Sequence, residues 1–282
     1  MIAQEISANP KNQKKCLIIG SGAAGLLAVD TLRSFGYGSN VTIITKENWN
    51  PYDRPKLSKA LNLNINDITM RNSEYFTENQ INFEKNQQVE KIEFDKKQVI
   101  CNSGNTFDYE KLIIATGLNS AKQETKPGHN LRGVFTLRNY DDAKNIYSYF
   151  ETLNGELAKS NQAENESKKL NVVSVGGSFI AMEALCYFAD KANSTSMSRH
   201  KPFERLLGSL VSLKLKKLHE SKNVKFFIDE KFDIVEFKES KERPGCLGAI
   251  KLDDNSVWPV DICLLAVGNN NYIIIYSCFR YR

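Results

Sequence analysis

The chain reads as an α/β protein built from two successive parallel-sheet units, and three observations predict it. A short apolar run passes into a glycine-rich turn and an amphipathic segment at residues 16–36. The same succession returns at residues 170–192, and alternating segments broken by turn residues follow each copy. Continuous apolar runs mark strands buried on both faces, as parallel strands are.

The elements follow in order. After a polar tail (residues 1–14), CLIIG predicts the first buried strand and SGAAGLLAVDTLRSFG a helix that stops at Gly36. VTIIT is a second buried strand, so the three form a right-handed βαβ unit. Residues 56–80 alternate between helical and irregular patterns. VEKIEFDKKQVICNSGNTFDY alternates around an NSGN turn, which predicts a β-meander or hairpin. KLIIATG is a further buried strand that ends on a glycine. Residues 154–169, NGELAKSNQAENESKK, are polar and lack aromatics, which predicts a linker. LNVVSVGGSFIAMEALCYFADKA then repeats the strand, glycine turn and helix. The stretches KFFIDEKFDIVEFKE and GAIKLDDNSVWPVDICLLAVG supply more strands. Recurrence of this unit is the main organisational fact. The expected architecture is two Rossmann-like, three-layer units with β-meander insertions.

Composition narrows the function. Of 282 residues, 38 are Lys or Arg and 33 Asp or Glu, a net charge of +5. The basic residues, including Lys11, Lys14, Lys15 and those at 214–217, read as solvated faces rather than a stripe, so no nucleic-acid partner is expected. A hydrophobic share of 41% excludes a disordered chain. No apolar run approaches the roughly 20 residues of a membrane span. The N-terminus keeps Glu5 and has no apolar signal core, which predicts a cytoplasmic location, with mitochondrial association as the second reading. The six cysteines show no C-x-x-C spacing and sit mostly in apolar runs, so they read as small buried hydrophobes and neither a zinc site nor a near-neighbour dithiol is expected. His129, His200 and His219 share no ligand or triad spacing and read as surface residues; no metal site is expected.

The first loop, Gly20-Ser21-Gly22-Ala23-Ala24-Gly25, fits G-x-G-x-x-G. Its glycines serve a tight turn, close approach of backbone to a pyrophosphate, and close helix–strand packing. The helix that follows offers free N–H groups and a positive dipole end to the phosphates. Glu47 stands roughly 20 residues farther on, at the end of the second strand, where an acid grips a ribose hydroxyl. The alternative is a tight strand–helix turn with no ligand. In Tyr52-Asp53-Arg54-Pro55-Lys56-Leu57-Ser58-Lys59, the cations Arg54 and Lys59 suit a charge-assisted grip on a dinucleotide, or else a solvated basic turn.

The succession GSGAAG, TKE, YDRPKLSKAL, KLIIATG and VFTLRNYDDA resembles the FAD/NAD(P)-dependent pyridine nucleotide-disulfide oxidoreductase superfamily, in particular its ferredoxin-reductase-like and apoptosis-inducing-factor group. PFERLLG followed by NVKFFIDE brings it nearest to the apoptosis-inducing-factor-3-like branch, over about residues 14–269. The resemblance implies that Gly20, Gly22, Ala23, Ala24 and Gly25 hold the FAD pyrophosphate and Glu47 the adenosine ribose. It places Arg54 and Lys59 on the flavin nucleotide, Val89 at a backbone contact to adenine, and Ala115, Thr116 and Gly117 in the ATG motif closing over FAD. Dithiol relatives carry a cysteine pair near residues 56–60. PKLSK stands there instead, so the implied chemistry is hydride and electron transfer through flavin alone.

Gly176, Gly177, Ser178, Phe179, Ile180 and Ala181 align with the family's NAD(P) loop, and Gly268 closes that domain's last strand. Ala181 is tolerated at a packing position, whereas Ser178 adds a side chain where backbone meets pyrophosphate. Weakened binding, or a turn that no longer binds, follows from that substitution. Glu183 falls where the family places a glutamate paired with the lysine matching Lys59, and these two are the implied catalytic residues. The next segment, NSTSMSRHKPFER, is polar, with Arg199 and His200 where relatives carry an acid. Either a 2′-phosphate preference or decay of the strand explains it.

The resemblance further implies FAD and NAD(P)H as cofactors and a ferredoxin-like or quinone-like electron acceptor. The expected domains are an incomplete FAD-binding domain at 15–137 and an NAD(P)-binding domain at 138–269. A tail at 270–282 looks unlike the family, and its apolar stretch 273–279 reads as an aggregation hazard. The C-terminal interface domain is expected to be absent. The implied function is an NAD(P)H-dependent flavoprotein oxidoreductase. The competing reading is a truncated paralogue that serves as a binding or regulatory module.

Overall fold

The structure, a computed structural model, describes residues 14–37, 40–121, 123–164 and 167–271. The described residues divide into two compact units, one within residues 14–53 and 64–119, the other within residues 54–63 and 120–270. These boundaries differ from the expected 15–137 and 138–269. The turn at Arg54–Ser58 packs on helices of the second unit, and the strand Val134–Phe135 pairs into its sheet.

In the first unit, β1 (Cys16–Ile19), α1 (Ala23–Ser34) and β2 (Val41–Ile44) form the expected βαβ element. With β3 (Asn82–Glu84) and β7 (Lys111–Ile114) the strands make an all-parallel sheet in the order β3-β2-β1-β7. The meander forms from β4 (Val89–Glu93), β5 (Gln98–Cys101) and β6 (Thr106–Asp108). Strand alternation then divides the core. Ile18, Ile43, Leu26 and Val29 pack on the helix side, and Leu17, Ile19, Ile44, Ile92 and Val99 on the meander side. The result is helix, sheet and meander in three layers.

The second unit repeats the plan. Its parallel sheet joins β8 (Val134–Phe135), β9 (Asn171–Val175), β10 (Asn193–Ser198), β11 (Val224–Ile228) and β15 (Ile262–Leu265) in the order β11-β10-β9-β15-β8. An antiparallel sheet of β12 (Ile234–Glu239), β13 (Leu247–Leu252) and β14 (Val257–Pro259) covers one face. Its helices are α2 (Tyr140–Glu164), α3 (Phe179–Phe188) and α4 (Glu204–Glu220), with α3 packed on β9 and β10.

Two expectations about secondary structure need correction. The stretch read as a linker at 154–169 is helical as far as Glu164. Helix α2 starts at a reciprocal capping box, where Asn139 Oδ1 accepts from the Asp142 N–H (2.9 Å) and Asp142 Oδ2 from the Asn139 N–H (3.0 Å). Ile146, Tyr149, Phe150 and Leu153 anchor its first half. Strong helix formers (Glu, Leu, Ala, Lys, Gln) then carry it into solvent without an apolar face.

The polar NSTSMS segment has not decayed. It is β10, six residues in parallel register with both β9 and β11. Ser194 and Ser196 are fully buried, small enough for α3 to lie close, while Met197 faces the antiparallel sheet.

Among the described cysteines, Cys16, Cys101 and Cys263 are buried, Cys246 is half-buried and Cys186 is exposed. Burial pushes the thiols of Cys16, Cys101 and Cys263 up, so none of these is poised as a thiolate. His129, His200 and His219 are each half-buried rather than fully on the surface, and His219 Nδ1 lies 3.4 Å from Cys186 Sγ. Residues 272–282, including the 273–279 stretch, lie outside the described residues.

Candidate nucleotide sites

Each unit builds the same backbone device at the carboxyl ends of its parallel strands, where ligands bind in open α/β sheets. In the first unit, Gly20 leaves β1 at φ +104°, a conformation suited to glycine. Its N–H donates to the Ile44 carbonyl at 2.8 Å, and the Ala115 N–H donates to the Ile19 carbonyl at 2.8 Å. In the second unit, Gly176 leaves β9 at φ +110°. Its N–H donates to the Met197 carbonyl at 2.8 Å, and the Ala266 N–H donates to the Val175 carbonyl at 2.8 Å. A Cβ on Gly20 would stand 2.4 Å from the Ala115 carbonyl oxygen, and one on Gly176 would stand 2.5 Å from that of Ala266. Both turns are therefore closed against the following strand by the same contact.

The two loops differ where the helix begins. Gly22 is the N-cap of α1 and provides no side-chain cap; Ala23 and Ala24 are exposed, and no acid lies in the first turn. The first amides of a helix have no intrahelical partner, so these remain donors for an anion. Gly25 is buried and packs so closely that a Cβ would lie 1.8 Å from the Gly20 carbonyl oxygen. The free amides and the missing acid fit a diphosphate such as that of FAD.

In the second loop Ser178 is the N-cap of α3, and its Oγ accepts from the Ala181 N–H at 3.3 Å. The serine thus occupies one of the amides that the glycine pattern would leave open. Ala181, fully buried at the position of Gly25, means that α3 sits farther from its turn than α1 does. Gly177 accepts from the Phe203 N–H at 3.0 Å, and exposed Phe179 lies on Phe203 with ring centroids 4.6 Å apart. Ile180 is half-buried in the first turn. A cleft of about 640 Å³ opens over this loop, bordered by Gly176, Ser178, Arg199, Arg205 and Gly268. The second unit therefore has room and cations for a dinucleotide, with one amide fewer.

The other expected residues fall as follows. Glu47 lies just past β2 and its Oε2 accepts from Tyr52 Oη at 2.7 Å. Thr116 and Gly117 (φ +69°) lie past the end of β7, with Thr116 beside Gly20. Val89 opens β4 and pairs with Cys101 across the meander.

Arg54 and Lys59 belong to the second unit. Arg54 donates from Nη1 to the Arg138 carbonyl at 3.2 Å. Lys59 Nζ lies 3.2 Å from Glu183 Oε1 and donates to the Pro55 carbonyl at 3.0 Å. The pair expected from the resemblance is thus assembled, over more than a hundred residues of sequence. Sequence reasoning missed Ser58, which is buried and donates to Glu183 Oε2. Its only signal was adjacency to Lys59 in the PKLSK string. It also missed Phe203, an αL residue (φ 62°) that caps α4, and Arg205 on the cleft.

Two Rossmann-like units, each with a glycine turn held beneath a closing strand, define the class. Residues 14–274 match the family described as pyridine nucleotide-disulphide oxidoreductase, a match that enters the tail expected to fall outside it. Apoptosis-inducing factor 3 of Mus musculus is 32% identical over 264 residues, 93% of this chain and 40% of that protein. Rubredoxin-NAD(+) reductase of Pseudomonas putida is 38% identical over 133 residues, 46% of this chain and 34% of that protein. A chain of the covalent putidaredoxin reductase–putidaredoxin complex superposes with a TM-score of 0.81 at 21% identity, covering 96% of this chain and 62% of that one. The chain belongs to the pyridine nucleotide-disulphide oxidoreductase family. It spans about 40% of the length of the apoptosis-inducing factor 3 sequences it matches.

Proposed function

We propose that the chain is a flavoprotein oxidoreductase that takes reducing equivalents from NAD(P)H and passes them to a one- or two-electron acceptor. The observation that carries this reading is the duplicated turn: Gly20 closed on Ala115 and Gly176 closed on Ala266, each at the mouth of a helix. A chain that needed one nucleotide would have no use for two such cradles. Together, FAD and a reduced nicotinamide supply hydride transfer and onward electron release.

The chain's own residues bind and orient. Amides at the start of α1 receive the flavin diphosphate, Glu47 the adenosine ribose, and Ala115, Thr116 and Gly117 form the strap above. Gly176, Gly177 and the first turn of α3 receive the nicotinamide nucleotide. Lys59 and Glu183 hold opposite charges at fixed positions within the second unit. The acceptor we favour is a small ferredoxin-like protein, because the relatives include a ferredoxin–NAD(+) reductase subunit of a benzene dioxygenase system and rubredoxin reductases.

A visible absorption spectrum tests the reading. The purified chain is expected to be yellow and to bleach anaerobically on addition of NADH or NADPH. A colourless protein that ignores added FAD sinks it and supports a binding or regulatory module instead. Ser178 favours that second reading to a limited degree, because its hydroxyl already takes the Ala181 N–H.

That hydroxyl also yields a prediction. Ser178→Ala is expected to cost about 1 kcal/mol of stability by loss of the cap, and Ser178→Gly only a few tenths. Both variants free that amide, but Ser178→Gly also removes the Cβ from the backbone's approach to the pyrophosphate, so it is expected to tighten nicotinamide-nucleotide binding several-fold and more than Ser178→Ala does. Thermal melts and titration calorimetry read the two effects separately; weaker binding to the glycine variant would assign the hydroxyl to the ligand rather than to the helix.

A further inference from the structure

The end of β10 settles the charge of the cleft in the second unit. In a nucleotide-binding parallel sheet, the residue just past the second strand meets the adenosine ribose. An acid there accepts from the ribose hydroxyls, and a cation there accommodates a phosphate on the ribose. Here β10 is intact to Ser198, whose Oγ donates to the His200 carbonyl at 2.7 Å and so fixes the turn carrying Arg199.

Three cations border the cleft around that turn: Arg199, Lys201 and Arg205. Lys201 is already offset, since its Nζ lies 3.0 Å from Glu204 Oε1, which also accepts from Ser209. Asp233, the other carboxylate on the cleft, is taken by Lys126 at 2.6 Å. The two arginines remain. Arg199 donates from Nε to the Phe232 carbonyl at 3.4 Å, and Arg205 from Nη2 to His200 Nε2 at 2.9 Å. Both are exposed, and no carboxylate among the described residues forms an ion pair with either. Two guanidinium groups without a counter-charge suit a phosphate dianion, which each can grip through paired N–H donors.

We propose that this cleft selects an adenosine nucleotide bearing a 2′-phosphate, so that the reductant is NADPH rather than NADH, with Arg199 and Arg205 as the phosphate-binding side chains. The inference rests on the reading of the second unit as the nicotinamide-nucleotide site.

Titration calorimetry of the full chain with 2′,5′-ADP, 3′,5′-ADP and 5′-ADP tests it without reference to turnover. The 2′,5′ compound is expected to bind about tenfold tighter than 5′-ADP or better, with a preference that fades as salt is raised. Arg199→Ala and Arg205→Ala should each remove most of that preference and leave 5′-ADP affinity unchanged; both positions are exposed, and thermal midpoints check that the variants fold. Equal binding of 2′,5′-ADP and 5′-ADP, tighter 5′-ADP, or no binding of either overturns the proposal. So does 3′,5′-ADP binding as tightly as its isomer, which would reassign the arginines to a coenzyme-A-like phosphate.

The two readings fail separately. Flavin that bleaches with NADH as readily as with NADPH overturns the phosphate inference and leaves the oxidoreductase standing. A retained 2′,5′-ADP preference in a protein without flavin supports the phosphate site and sinks the oxidoreductase.

Discussion

Gly25→Ala is expected to lower the thermal midpoint of the protein by roughly 5–10 °C and to strip it of flavin. The added methyl has nowhere to go. Its carbon would stand 1.8 Å from the Gly20 carbonyl oxygen and 3.0 Å from the carbonyl carbon, both backbone atoms. Gly20 cannot retreat, because its own free space ends at the Ala115 carbonyl and its N–H is bound to Ile44. Helix α1 must therefore slide away from β1, which opens the packing of Leu26 and Val29 on Ile18. Overpacking of this kind costs typically 1–3 kcal/mol, and backbone that cannot move puts this site at about 3.

Gly22→Val is the paired control. Gly22 lies at φ −70° and ψ −174°, extended backbone that any residue adopts. Its branched side chain is expected to leave the fold nearly intact, at a cost of about 1 kcal/mol for the poorer N-cap, yet to block the approach of a diphosphate to the helix amides. Calorimetric melts and the ratio of flavin to protein absorbance check both variants. A Gly22→Val protein that stays fully flavinated would show that the diphosphate does not lie on this turn.

The signals that make these glycines legible in the sequence are local. A continuous apolar run, three small residues at fixed spacing and a helical period all lie within about 20 residues, and each constrains backbone directly. The second cradle is legible for the same reason, including its defect at Ser178. Legibility fails where stability comes from elsewhere in the fold. Residues 154–164 carry no apolar stripe, and their helix is inherited from the buried half of α2 and from Asn139 and Asp142. β10 reads as eroded because serine is a poor strand former by composition. Burial against α3 favours its small size, and register with β9 and β11 supplies the backbone bonds. The assembly of Ser58, Lys59 and Glu183 spans 125 residues of sequence, a distance over which spacing carries no information.

That assembly yields the second large effect. Glu183→Gln is expected to slow flavin reduction about tenfold to a hundredfold while shifting nucleotide affinity no more than about twofold. Glutamine keeps the shape and an acceptor for the buried Ser58 hydroxyl, so the substitution removes charge and little else. Glu183→Ala would also orphan that hydroxyl, at about 1–3 kcal/mol, and confuse stability with rate. The ion pair itself holds the fold only weakly: the Lys59 and Glu183 side chains are 56% and 30% exposed, and pairs so wetted contribute at most about 1 kcal/mol. Lys59→Ala should therefore melt near the wild type yet reduce its flavin slowly, and Lys59→Arg should recover part of the rate because it keeps the charge. If the two residues act as one unit, the Lys59→Ala/Glu183→Gln double variant will be no slower than the worse single variant, whereas independent roles would multiply. Stopped-flow traces of the flavin absorbance, recorded at saturating nucleotide, separate rate from binding. Unchanged traces for Lys59→Ala would remove the pair from the chemistry and leave it a surface contact between the Arg54–Ser58 turn and α3.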